Sequence, residues 1–191
     1  MSRFSNLTIT RRSSMLFIAA FVALISACAP ATTPPTASAP SALASNFKMT
    51  STAFAEGAVI PKKYSCNDEN ISPPLTWIGA PANTKSFALI MDDPDAPRGT
   101  FTHWVTFDLP ATQSEIAEGA KSVGKSGKNG SGQTGYTGPC PPSGTHRYFL
   151  TLYALDTATL GLSDGAARGE IEAAMQTHLI AATQLMGTSS R

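Results

Sequence analysis

Two histidines and an aspartate stand where a rigid scaffold displays its binding groups. His103 lies near the start of the alternating run Phe101–Leu109, His146 opens the apolar run Thr145–Leu155, and Asp93 closes the run that begins at Ser86. A stiff turn borders each of them. Asp93-Pro94-Asp95-Ala96-Pro97 precedes the first histidine, and a glycine-rich stretch with Pro139, Cys140, Pro141 and Pro142 precedes the second. Strand ends and turns carry ligand-binding groups more often than strand interiors do. Imidazole and carboxylate together suit hydrogen bonding to a charged ligand, proton transfer, or a two-histidine, one-carboxylate metal site. The same residues would also serve a purely structural network, because buried polar groups need partners. Neither a GxSxG nucleophile elbow nor an HExxH zinc motif accompanies them, and Ser143 beside Gly144 reads as a turn residue. Hydrolysis therefore ranks below binding.

The elements that must hold these groups are short strands. Ser86–Asp92 is a compact apolar run, which predicts a buried strand ending in the Asp93–Pro97 turn. Strict alternation predicts that Phe101, His103, Val105, Phe107 and Leu109 share one face. Over Thr145–Leu155 both faces are largely apolar, as in a central strand. His146 and Tyr148 share parity with Leu150 and Leu152, and Arg147 points oppositely with Phe149 and Tyr153. The segment Lys121–Gly132 reads as a mobile surface loop. One helix is predicted near Arg168–His178, where Ile171, Met175 and Leu179 recur at helical spacing behind Ser163-Asp164; residues 180–186 either extend it or form a last strand. Many short strands, turn-rich connections and one late helix predict a mainly β protein, an antiparallel sandwich with minor helix.

The N-terminus reads as an export signal. Arg3, Arg11 and Arg12 form a basic n-region, residues 15–25 an apolar h-region, and Ile25-Ser26-Ala27 a small-residue cleavage site. The apolar run is short against the roughly 20 residues a membrane-spanning helix needs. Ile25-Ser26-Ala27-Cys28 resembles a bacterial lipoprotein signal, which makes 1–27 the signal peptide and Cys28 the lipidated mature N-terminus; an ordinary secretory signal with a chance cysteine is the alternative. Residues 28–45, mostly Ala, Pro, Thr and Ser, form an extended tether, and 46–191 the folded domain. Of the fourteen basic residues three lie in the leader, leaving eleven against thirteen acidic ones, a net charge of −2 with no basic run. That balance excludes an electrostatic footprint for nucleic acid. Export into an oxidising compartment makes a disulfide between Cys66 and Cys140 the expectation, two buried free thiols being the alternative. Neither cysteine has the spacing of a zinc motif.

Four motifs occur in order: Ser72-Pro73-Pro74-Leu75-Thr76-Trp77, Asp93-Pro94-Asp95-Ala96-Pro97, His103-Trp104, and Gly138-Pro139-Cys140-Pro141-Pro142 leading to His146-Arg147-Tyr148. Any one is weak, but the ordered set resembles the phosphatidylethanolamine-binding protein family, in its bacterial Raf kinase inhibitor-like branch, over essentially the whole folded domain. The resemblance implies a β-sandwich with an anion pocket at one end and no metal or cofactor. It places Asp93, His103, Pro139, Pro141, Pro142, His146 and Tyr148 at that pocket. The imidazoles would donate to a phosphate or carboxylate, Asp93 would orient a histidine or accept from a ligand amine, and the proline loop would form one wall. Cys66 and Cys140 should flank the same end of the sandwich. Arg147 becomes a structural partner.

Eukaryotic relatives carry C-terminal elements that gate the site, so kinase inhibition does not transfer. The ending Gly187–Arg191, where relatives often place an aromatic residue, predicts a weaker closing strand. The leading expectation is a non-enzymatic, membrane-tethered, exported lipoprotein that binds a small anion such as phosphate or a phosphorylethanolamine-like headgroup, with a homodimer implied by resemblance only. The alternatives are a hydrolase using His103, His146 and Asp93, or an interaction protein with a vestigial pocket.

Overall fold

The computed structural model describes residues 46–121 and 123–191. The leader, Cys28 and the tether lie outside the described residues.

Among the described residues eight strands and one α-helix follow, with a single 3-10 turn at Lys62–Tyr64, in the order β1 (Lys48–Thr50), β2 (Leu75–Ile78), β3 (Ser86–Asp93), β4 (Phe101–Pro110), β5 (Glu115–Ile116), β6 (Lys125–Ser126), β7 (Thr145–Leu155), α1 (Arg168–Met175) and β8 (Leu179–Ser190). They form a three-stranded sheet β1-β2-β5 and a five-stranded sheet β6-β4-β3-β7-β8, with every named pairing antiparallel. The sandwich interior joins Met49, Leu75 and Trp77 of the small sheet to Phe87, Leu89, Met91, Leu150 and Leu152 of the large one. The opposite face of the large sheet is covered by α1, whose Ile171 and Met175 pack on Ala88, Ile90, Val105 and Phe107. Strand β3 is therefore buried on both faces, which is why its sequence is a continuous apolar run rather than an alternating one.

Strand β7 lies between β3 and β8, as its apolar character predicts. Its His146/Tyr148/Leu150/Leu152 face is buried, while Phe149, Thr151 and Tyr153 on the other are only half-covered. Helix α1 stops at Met175, and Leu179 begins β8 instead of adding to the helical face. Asp164, expected near the helix start, accepts the Ser126 N–H at 2.9 Å, and the helix start is satisfied by Glu170, which accepts the Ala167 N–H at 2.7 Å.

Three further expectations are corrected. Strand β8 is not weak: it pairs with β7 from Leu179 through Ser190, and its outer edge is covered where the Ile60 N–H donates to the Thr188 carbonyl and the Gly57 N–H to the Met186 carbonyl. Gly187 permits that cover, because a Cβ there would sit 2.6 Å from Ile60. The segment after Lys121 is not a detached loop, for it contains β6 and buried Asn129, and Gly127 packs against Val105 and Ile171. Strand β4, finally, does not keep one face. Met91 pairs with Trp104 but Asp92 with Thr102, leaving His103 as the extra residue of a bulge. A second shift lies between Leu89↔Thr106 and Phe87↔Leu109, near Asp108 at φ 56°. Val105 and Phe107 consequently face α1, while Leu109 returns to the sandwich interior.

Candidate functional site

The bulge at His103 is what builds the site. By simple alternation His103 would share the α1 side with Val105. The extra residue instead turns its ring in edge contact with Tyr148 of β7 at 5.2 Å and Phe101 at 4.8 Å between ring centroids. Asp93 at the end of β3 and His146 at the start of β7 arrive at the same edge of the sheet. The three residues share a cavity of about 330 Å3, walled also by Pro97, Phe101, Pro142 and the Cys66–Cys140 pair.

Each side chain is held by a hydrogen bond that fixes its proton. His103 is 4 % exposed, and its Nδ1 lies 2.8 Å from the Thr137 carbonyl oxygen. A carbonyl only accepts, so Nδ1 carries the hydrogen and Nε2 is left with its lone pair. Burial, the largest influence, pushes the His103 pKa below its ordinary value and favours this neutral ring. His146 donates from Nδ1 to Asp93 Oδ2 at 2.7 Å, with both residues buried. The other Asp93 oxygen accepts the Asp95 N–H at 2.9 Å, a local turn that locks the carboxylate. Asp95 is held in turn by Arg147, which reaches it with its backbone N–H, Nε and Nη2 at 2.7–2.9 Å. That guanidinium holds the Asp95 carboxyl well below the usual range. His146 uses its Nδ1 on Asp93, and the His103 ring meets the backbone of both Thr137 and Gly138.

The residues implied by the resemblance divide by position. Asp93, His103, His146 and Pro142 line the cavity. Tyr148 is fully buried behind it, with a hydroxyl that has no partner among the described residues; burial, and then the neighbouring Asp93 charge, raise its pKa. Pro139 and Pro141 do not line it. They face a separate hollow of about 220 Å3 with Lys62, Ser65 and Arg191 on the far side of the loop. Alternate residues of an extended segment project oppositely, so the proline wall reduces to Pro142 on this side. Arg147 leaves the opposite face, its guanidinium carbon 5.7 Å from the Phe149 ring centre.

Sequence reasoning missed Phe101 and Thr137, the residues that clamp and bond the His103 ring. Phe101 had a usable signal in its position two residues before the histidine. Thr137 had none, because its contribution is a backbone carbonyl. Cys66 and Cys140 lie with Cα atoms 5.5 Å apart and their sulfurs at bonding distance, in the cavity wall. The Cys66 N–H donates to the Pro139 carbonyl at 3.1 Å and the Gly138 N–H to Asn70 at 2.7 Å, so the 138–142 loop is anchored immediately ahead of Cys140. Gly138 allows the close approach, since a Cβ there would fall 2.1 Å from the Tyr64 carbonyl oxygen.

Comparison with known proteins finds relatives of this chain by sequence and by fold. The family model for phosphatidylethanolamine-binding protein matches residues 50–190. A protein of Methanothermobacter thermautotrophicus, described only as a UPF0098 protein, is 47% identical over 145 residues, covering 73% of this chain and 95% of its own. Among solved structures, a putative phosphatidylethanolamine-binding protein homolog from Chlamydia trachomatis superposes with a TM-score of 0.74 at 42% identity, covering 77% of this chain and 99% of its own. Escherichia coli YbcL, described as a new member of the mammalian family, gives 0.72 at 28% identity, covering 76% and 99%. A match spanning nearly the whole described sandwich, shared by sequence and by structure, makes this chain a member of the phosphatidylethanolamine-binding protein family.

Proposed function

We propose that the protein is a non-enzymatic, membrane-tethered binding protein for a small anionic or phospho-headgroup ligand. The observation that carries this reading is the convergence of His103 and the His146–Asp93 pair on one cavity. Asp93 accepts the Nδ1 hydrogen of His146 and so fixes the His146 ring beside the cavity, where a hydrogen bond to a charged ligand is strongest. The hydrolase alternative is less favoured: among the described residues no serine hydroxyl or cysteine thiol is hydrogen-bonded to His103 or His146, and the cavity cysteines are joined to each other. Titration calorimetry with inorganic phosphate and O-phosphorylethanolamine tests the reading, with a generic ester assay on the same preparation. Saturable binding without turnover is expected. Turnover that depends on both histidines would establish the enzyme instead.

The tether rests on the sequence. Among the described residues no helix is long and apolar enough to cross a membrane, and Cys28 is the proposed attachment. Cys28→Ser should move the protein from the membrane fraction to a soluble or unprocessed form. Unchanged fractionation of that variant would remove the lipoprotein from the proposal.

A further inference from the structure

We infer that a second hollow, separate from the histidine cavity, binds a small organic carboxylate with an apolar body, such as an aromatic monocarboxylic acid. The two hollows have no lining residue in common, so this inference stands apart from the anion-binding reading above.

The second hollow has a volume of about 250 Å3 and forms where the stretches 70–72, 119–121 and 134–136 meet beside β4. Its wall has an apolar part. Trp104 of β4 is buried, with the Tyr136 ring edge-on at 5.6 Å between centroids, and Ile71 and Val123 extend that surface. Such a wall accommodates an aromatic or branched hydrocarbon body.

The polar groups decide the head. Ser72 lines the hollow at 2 % exposure, and its hydroxyl has no partner among the described residues. Buried hydroxyls are nearly always paired, which makes an orphan in a cavity wall a candidate contact for a ligand. Asn70 offers a second donor. The Gly138 N–H can only donate, so the Asn70 oxygen accepts it at 2.7 Å and the amide nitrogen is turned away from Gly138. Tyr136 and Thr106 do not compete, for their hydroxyls are engaged by the Tyr64 and Val123 carbonyls. Lys121 is the one charged residue lining the hollow among the described residues. The acid nearest in sequence, Glu118, is held by Lys63 and the Tyr64 hydroxyl. A hydroxyl, an amide N–H2 and an ammonium with no carboxylate beside them favour an anion and offer nothing to an amine. One ammonium balances one negative charge, which fits a carboxylate better than a phosphate dianion.

Benzoate, benzamide and benzylamine carry the same ring with an anionic, a neutral and a cationic head. Each is titrated into the isotope-labelled protein and followed by amide and indole NMR. Saturable benzoate binding should shift the Trp104 indole and the Gly135 and Tyr136 amides, with the Trp77 indole in the sandwich interior as the unmoved reference. Benzamide should bind at least about tenfold more weakly, and benzylamine not detectably. Ser72→Ala should weaken benzoate about tenfold without lowering the unfolding midpoint, since the hydroxyl it removes bonds nothing in the free protein. A lowered midpoint with benzoate affinity intact would make that hydroxyl structural and overturn its role. Ala120→Leu, which fills the hollow, should abolish benzoate binding; if that variant does not fold, the wild-type shifts and Ser72→Ala decide. Shifts at Asp93 and His146 in place of Trp104 would put benzoate in the histidine cavity and overturn the second site. Benzamide binding as tight as that of benzoate overturns the carboxylate class, and no benzoate binding at millimolar concentration overturns the whole inference.

Discussion

Replacing both cysteines, Cys66→Ser with Cys140→Ser, is expected to cost the folded domain about 4 kcal/mol. The estimate follows from the chain entropy released when a loop with a sequence separation of 74 is opened. For a domain of this size that loss corresponds to a fall of roughly 10–20 °C in the unfolding midpoint. The backbone contacts beside the bridge do not depend on it: the Cys66 N–H to Pro139 carbonyl bond, the Gly138 N–H to Asn70 bond and the Tyr136 hydroxyl to Tyr64 carbonyl bond at 2.8 Å all remain available. The variant should therefore fold, with less margin. Denaturant titration of oxidised wild type, reduced wild type and the double variant measures it, and the last two should agree. A reduced protein with the midpoint of the oxidised one would show that the thiols are not bridged in solution. Because both cysteines line the ligand cavity, the reduced protein should also bind phosphate less tightly, through greater freedom of the 138–142 loop.

Most of the sandwich could be read from local pattern. The double-sided burial of β3, the face of β7 that carries His146 and Tyr148, and the position of α1 each follow from the spacing of apolar residues. What could not be read depends on partners distant in sequence. The bulge at His103 is a mismatch of register between β3 and β4, and nothing within Phe101–Leu109 announces it. A period-two reading places the histidine on the helix side, and only the bulge brings it to Tyr148. Leu179 fits a helical spacing from Met175, but its pairing with Leu155 and that of the following residues along β7 decide for a strand. Pro139, Pro141 and Pro142 are indistinguishable by type, and only the path of the anchored loop separates the one that faces the histidines from the two that do not. The family resemblance supplied the site residues as a group. The direction of each hydrogen bond, which governs what the site can hold, came from the structure.

His146→Asn should weaken phosphate binding by about 10- to 150-fold, the equivalent of about 1.5–3 kcal/mol for one hydrogen bond to a charged group. The asparagine amide can still donate to Asp93 where Nδ1 does, so the buried carboxylate is not orphaned and the domain should keep its midpoint within a few degrees. His146→Ala should lose the same affinity and also stability, because Asp93, 3 % exposed, would keep only the Asp95 N–H. Arg147→Ala is the control. Its side chain is exposed on the opposite face and bonds Asp95, so phosphate affinity should stay within about twofold. The pH dependence carries the sign of the mechanism. Burial, the largest influence, holds the His103 pKa below its ordinary value, so any strengthening of anion binding by protonation of that ring should set in below the ordinary histidine range as pH falls, with net proton uptake in two buffers of different ionisation enthalpy. Loss of binding in Arg147→Ala with binding intact in His146→Asn would place the anion on the opposite face of the sheet, and affinity independent of pH would remove the proton from the binding step.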